Sequence, residues 1–220
     1  MHAKRERMKR KGDIHAVVFD LGGVLIDWDP RHLYRKVFDD EKVMEEFLGN
    51  ICTPDWNEQQ DAGRPVAVAT KERISKFPEY RTEIEAFYGR WEEMLGGPVK
   101  STLDLLHEVK KEGKWGLYAL TNWSAETFPI ARARYSFLDL FEDIIVSGEV
   151  KCKKPDPKIY QILVERTGVD PENSLFIDDS ERNIMAARNL GFQTIHFDSP
   201  DRVKEIRKIL FPAHKVSDPG

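Results

Sequence analysis

The sequence predicts an α/β protein with a doubly wound, Rossmann-like core, a parallel five-stranded sheet and an inserted α-helical domain. Three observations carry that expectation. Five short β-branched or aromatic runs recur along the chain, amphipathic segments alternate with them, and a long interval after the first run contains only helical patterns.

The five runs fall at residues 14–20, 115–121, 143–147, 174–178 and 193–197. Leu103, Leu106 and Val109 mark one helix, Ile159, Ile162 and Leu163 a second, and Ile184, Ala187 and Leu190 a third. Near-continuous apolar strands alternating with amphipathic helices imply a parallel sheet covered on both faces. Pro155 and Pro157 suit the entry to the helix carrying Tyr160, and Gly191 suits the C-terminal cap of its successor.

The interval from 30 to 97 breaks the alternation. Phe38, Val43, Phe47, Ile74, Phe87 and Trp91 supply apolar positions at helical spacing, and Gly96-Gly97-Pro98 reads as a closing loop. The expected organisation is a core domain of residues 1–29 and 98–220 with a helical domain of residues 30–97. This insertion follows the first strand, where ligands bind in open α/β sheets.

Hydrophobic residues make up 40% of the chain and charged residues 33%, which suits a globular protein and excludes a disordered one. No apolar run approaches the roughly 20 residues of a spanning helix, so no membrane partner is expected. Residues 1–12 carry a cluster of Lys and Arg without a following apolar stretch, which reads as a disordered basic tail and not as a signal peptide. The net charge of -4 argues against a nucleic-acid partner. Cys52 and Cys152 are the only cysteines and are expected as reduced thiols in a cytoplasmic protein. His107 and His196 have no ligand-spaced companions.

Chemistry-bearing residues gather at strand ends. Asp20 closes the first run before Gly22 and Gly23, Thr121-Asn122 closes the second, Lys154 follows the third, and Asp178-Asp179 closes the fourth. In a parallel sheet these ends lie on one edge. A carboxylate nucleophile approaching a phosphate needs cations and donors to offset the repulsion, and carboxylates hold a hard cation such as magnesium through oxygen.

The stretches Phe19-Asp20-Leu21-Gly22-Gly23-Val24-Leu25, Leu120-Thr121-Asn122, Lys154-Pro155-Asp156-Pro157-Lys158-Ile159-Tyr160 and Phe176-Ile177-Asp178-Asp179-Ser180 resemble, in order, motifs I to IV of the haloacid dehalogenase superfamily. The resemblance covers residues 14–197 and implies a hydrolase with a helical cap of subclass I. It implies that Asp20 attacks phosphorus to form an aspartyl phosphate, and that Thr121 and Lys154 hold the phosphoryl oxygens. Asn122 then serves as a nearby donor or a turn residue. Asp20, the Gly22 backbone carbonyl and Asp179 would bind magnesium, with Asp178 as a further ligand. Asp178 and Ser180 read equally well as caps of the helix bearing Ile184.

One position departs from the family pattern. Most phosphatases of this superfamily carry a second Asp, the general acid-base, where this chain has Gly22. A leaving group of low pKa would need little protonation, and the Asp-Leu-Gly opening resembles a branch containing a glucose-1-phosphate phosphatase. Alternatively Asp27, Asp29 or His32 substitutes, or turnover is weak.

The expected function is therefore a magnesium-dependent phosphatase of a small phosphorylated metabolite, a sugar phosphate being one such substrate. The alternatives are a metal-independent 2-haloacid dehalogenase and a non-catalytic phosphate-binding protein. Trp56, Arg64, Arg31 and Trp123 are candidates for the substrate side. For Trp56 the other reading is packing within the insertion, and for Arg64 a surface pair with Asp61. The chain is expected to act as a monomer or homodimer.

Overall fold

The computed structural model describes residues 13–212, and the basic segment 1–12 lies outside them. Seven strands and eleven α-helices make up the described chain. Strand β1 (Ala16–Phe19) is followed by β2 (Ile26–Trp28) and helices α1 (Arg31–Tyr34), α2 (Glu41–Asn50), α3 (Pro54–Asp61), α4 (Val66–Lys76) and α5 (Arg81–Gly89). The chain returns through β3 (Leu95–Pro98), α6 (Lys100–Glu112) and β4 (Gly116–Thr121), then α7 (Phe128–Arg134), β5 (Asp143–Val146) and α8 (Ser147–Val150). Helix α9 (Pro157–Thr167), β6 (Ser174–Asp178), α10 (Glu181–Asn189), β7 (Gln193–His196) and α11 (Arg202–Leu210) complete it.

The main sheet has the order β5-β4-β1-β6-β7 with every neighbouring pair parallel. All four residues of β1 are buried, as a central strand covered on both faces requires. Alternation divides them. Val17 and Phe19 join a core with Leu105, Leu106 and Val109 of α6, whereas Ala16 and Val18 join Ile159 and Leu163 of α9 and Ile184 of α10. The chain moves outward from β1 through β4 to β5, then crosses to β6 on the other side. The topological switch point thus lies at the carboxyl end of β1, between β4 and β6.

Local signals set the helix ends. Asp156 caps α9 by accepting the Lys158 N–H at 2.9 Å, Pro157 follows at the first helical position, and Gly168 ends the helix in the left-handed conformation at φ 70°. Thr53 caps α3 in the same way ahead of Pro54.

The insertion departs from expectation in two places. Gly96-Gly97-Pro98 belongs to β3, which pairs antiparallel with β2 to form a two-stranded ribbon at the base of α1–α5. Glycine is needed there because a Cβ on Gly96 would sit 2.1 Å from Asp27 Oδ2 and 2.7 Å from His32 Nε2. Val43 is 40% exposed, while Met44, Phe47 and Leu48 turn inward from the same helix. The insertion's interior is aromatic. Tyr34 lies 5.0 Å from Phe47, and Trp56 lies 5.1 Å from Phe87, centroid to centroid.

Candidate active site at the strand ends

Asp20 follows β1 directly and is 7% exposed. Its Oδ1 accepts the Leu21 N–H at 2.7 Å, and its Oδ2 lies 2.8 Å from Lys154 Nζ. Lys154 is fully buried, and its Nζ also donates to Asp178 Oδ2 and to the Leu120 carbonyl, each at 2.7 Å. Two carboxylates and a carbonyl therefore meet all three ammonium protons. Burial alone would drive a lysine toward neutrality, but the charges of Asp178 and Asp20 hold this one above its ordinary range.

Asn122 braces Lys154 through the main chain. Its Oδ1 accepts the Lys154 N–H at 2.8 Å, and its Nδ2 donates to the Lys154 carbonyl at 2.9 Å. The amide is thereby committed to positioning the lysine. Asp178 Oδ1 accepts the Ser180 N–H at 2.8 Å and Asn183 Nδ2 at 3.0 Å. Ser180 stands at the start of α10 without a side-chain cap bond, so Asp178 both ties that turn and anchors Lys154. Thr121 Oγ1 is buried and has no protein partner, which leaves a hydroxyl free for a bound oxyanion.

Carboxylate oxygens of Asp20, Asp178 and Asp179 come within 4.8 Å of one another. Three carboxylates facing one ammonium leave two negative charges in excess, the charge of one divalent cation. Burial raises Asp20 well above the ordinary carboxylate range, opposed by Lys154 and reinforced by Asp178 and Asp179. Burial also raises Asp179, with the charge of Asp178 adding to it. An all-oxygen cluster with uncompensated charge fits magnesium. Gly23 makes the cluster possible, since it adopts φ 73° and a Cβ there would lie 2.1 Å from Asp179 Oδ2. At Gly22 a Cβ would meet nothing within 4 Å. His196, from β7, places Nε2 2.9 Å from the Asp179 carbonyl oxygen, a contact its strand position did not reveal.

A cleft of about 660 Å³ opens over Asp20, Gly22, Asn122 and Asp179, walled by the insertion. Arg31 lines it, with its guanidinium 2.5 and 2.7 Å from Glu45 and 3.3 Å from Asp29. Asp27 also lines it and lies 2.9 Å from His32 Nε2. Cys52 is on the wall too, but burial pushes its thiol up to about 12, so it offers no thiolate. Trp123 is absent from the cleft lining and borders an adjoining recess of about 70 Å³ with Gly22, Asn122 and Asp61.

Two substrate-side expectations need correction. Trp56 is 2% exposed, packs against Phe87 and Tyr88 and reaches no part of the cleft wall, because its large ring serves the insertion's interior. Arg64 also lies off the wall and is bound to Gln59 at 2.7 Å and to Glu72, not to Asp61. Asp61 is instead 8% exposed and lines both the cleft and the recess.

Sequence reasoning missed the α3 face formed by Asn57, Glu58 and Asp61. Glu58 pairs with Lys153 and Arg182 and so ties the insertion to the loop before Lys154 and to the first turn of α10. The signal available was two rows at i, i+4 spacing, Trp56/Gln60 and Asn57/Asp61, of which the first is buried inside the insertion and the second faces the cleft.

Comparison with known proteins agrees with this geometry. A family model described as haloacid dehalogenase-like hydrolase matches residues 14–191. The chain is 28% identical over 197 residues to the sesquiterpene phosphatase astK of Aspergillus oryzae, covering 89% of this chain and 96% of that one. It is 27% identical to a phosphorylated carbohydrates phosphatase of Thermotoga maritima, covering 83% and 84%. Among solved structures it resembles the enzyme bt-2542 of Bacteroides thetaiotaomicron in complex with magnesium and inorganic phosphate, with a TM-score of 0.65 and 28% identity over 83% of this chain and 93% of that one.

Proposed function

The chain belongs to the haloacid dehalogenase-like hydrolases, and from that premise we propose that it is a magnesium-dependent phosphatase of small phosphorylated metabolites. The observation that carries the reading is the position of Lys154 Nζ, 2.8 Å from Asp20 and 2.7 Å from Asp178 beside the Asp179 carboxylate. Phosphatase-named relatives and a structural neighbour holding magnesium and phosphate support it.

Asp20 Oδ attacks phosphorus and the ester oxygen departs, which leaves an aspartyl phosphate for water to hydrolyse. Lys154 and the free Thr121 hydroxyl face the phosphoryl oxygens, while Asn122 and Asp178 fix the lysine. Asp20, Asp179 and the Gly22 carbonyl would hold the magnesium ion, which when bound neutralises phosphate charge. Residues 30–97 act as a cap domain of subclass I that excludes water during transfer. Two free, buried thiols suit a cytoplasmic location. Among the described residues, no helix is long and apolar enough to cross a membrane.

The wall also bears on the substrate. Asp27, Asp29, Glu45 and Glu58 line it, and its two arginines are already paired, Arg31 with Glu45 and Arg182 with Glu58. This charge supports esters whose leaving portion carries no second negative group, such as neutral sugars and alcohols.

The test is phosphate release from a panel of sugar phosphates and p-nitrophenyl phosphate, with magnesium and after chelation. Release that chelation abolishes, magnesium restores and Asp20→Asn lowers by roughly 10⁴-fold or more is expected. Failure of the folded protein to release phosphate from any compound would refute the reading.

A further inference from the structure

Expelling an alkoxide is slow unless its oxygen gains a proton, and Gly22 has no side chain to supply one. The residues near it in sequence are occupied. Asp27 is held by His32 and its side chain is 52% exposed, and Asp29 accepts the Arg31 N–H at 2.9 Å and its guanidinium at 3.3 Å.

Asp61 has a different setting. It reaches the site from the last turn of α3, is 8% exposed, and shares the cleft with Asp20 and the recess with Gly22 and Asn122. Among the described residues, no ammonium or guanidinium forms an ion pair with its carboxylate, which meets Asn57 Nδ2 at 3.4 Å and a backbone N–H at Ser124. Trp28 and Trp123 also line the recess, and each has a buried indole N–H without a protein partner. A carboxyl and two unpaired donors next to Gly22 make a pocket for an oxygen atom of a ligand.

We propose that Asp61, supplied by the insertion, is the general acid-base of this enzyme and replaces the side chain missing at Gly22. The inference rests on the phosphatase reading above. In the first step Asp20 Oδ bonds to phosphorus and the phosphorus–oxygen bond to the leaving group breaks. Its electron pair stays on the leaving oxygen, which takes the Asp61 proton and departs as an alcohol. In the second step water bonds to phosphorus and gives a proton to the Asp61 carboxylate. The bond to Asp20 breaks, so that phosphate leaves, Asp20 is again a carboxylate and Asp61 again carries its proton.

Burial raises the Asp61 carboxyl to about 7, with the Glu58 charge adding to it and Lys153 and a Ser124 backbone hydrogen bond opposing it. A group poised there serves as both acid and base near neutrality.

The experiment compares kcat/KM, which reports the steps through formation of the phospho-Asp20 adduct, for an alkyl sugar phosphate and for p-nitrophenyl phosphate, whose leaving phenol needs little protonation. For Asp61→Asn the loss on the alkyl ester should be about 10²–10⁴-fold, and at least tenfold greater than the loss on p-nitrophenyl phosphate. Adding Gly22→Asp, for which the structure leaves open space, should restore alkyl turnover. Equal losses on both substrates, or no loss on either, would overturn the proposal and leave the phosphatase reading intact. Absence of release by the wild-type protein would refute both.

Discussion

The floor and the wall of the cleft are built in different ways. On the floor, Asp20 and Asp178, at the ends of β1 and β6, meet the single ammonium of Lys154 at 2.7–2.8 Å, with Asp179 beside them and Lys154 supplied by the loop after α8. Parallel pairing of β1 with β4 and β6 fixes where those ends meet, so the floor is as rigid as the sheet. The wall depends on how helices of the insertion pack. Helix α3 turns Trp56 and Gln60 inward and leaves Asn57, Glu58 and Asp61 toward the cleft, where Glu58 reaches back to Lys153 and Arg182. Chemistry held on the floor can therefore stay constant while selectivity, and on our proposal proton transfer, resides in the wall.

The largest expected break in that contrast is Lys154→Met. It leaves Asp20 and Asp178 buried and uncompensated, so a loss of about 3–5 kcal/mol is expected by chemical denaturation, together with loss of turnover. Stability within about 1 kcal/mol of wild type would show that the floor does not rely on the lysine.

Trp56→Ala tests the wall's support. A cavity among Phe87, Tyr88 and Arg73 should cost about 3–5 kcal/mol, whereas kcat/KM on p-nitrophenyl phosphate should stay within a few-fold once the protein is folded. A selective rise in KM would place the ring in contact with substrate.

The effect expected from Asp61→Asn depends on pH and vanishes at one end of the range. The folded carboxyl titrates near 7 and the unfolded one near 3.8, so the folded chain binds more protons between those values. Wild-type stability relative to the variant should thus fall as pH rises from about 4 to about 7 and then level off, by at most about 4 kcal/mol. Glu58, Lys153 and Tyr88 surround this carboxyl, so the comparison is best made at constant salt. Destabilisation by Asp61→Asn at pH 8 would mark Asp61 as a structural group.

The floor was legible in the sequence because a strand ending in Asp20, or in Asp178 ahead of Asp179, already states where its carboxylate goes once the sheet is parallel. Arg64 and Trp56 show where that legibility stops. Both look like ligand-binding side chains in a list of residues, and only the packing of α3, α4 and α5 commits one to Glu72 and the other to Phe87. The Gly96-Gly97-Pro98 stretch carried a turn composition, but backbone pairing with β2 made it a strand.

By itself the sequence determined the alternating strands and helices and the residues at the strand ends. Those depend on period and order along the chain, which local sterics and burial enforce. The tertiary structure decided that Asn122 braces Lys154, that Gly23 makes room for Asp179, and that Asp61 is buried at the cleft and not paired with Arg64. Each of these joins residues far apart in sequence, or turns one face of a helix toward a cavity, and no periodicity records which partner a side chain will meet.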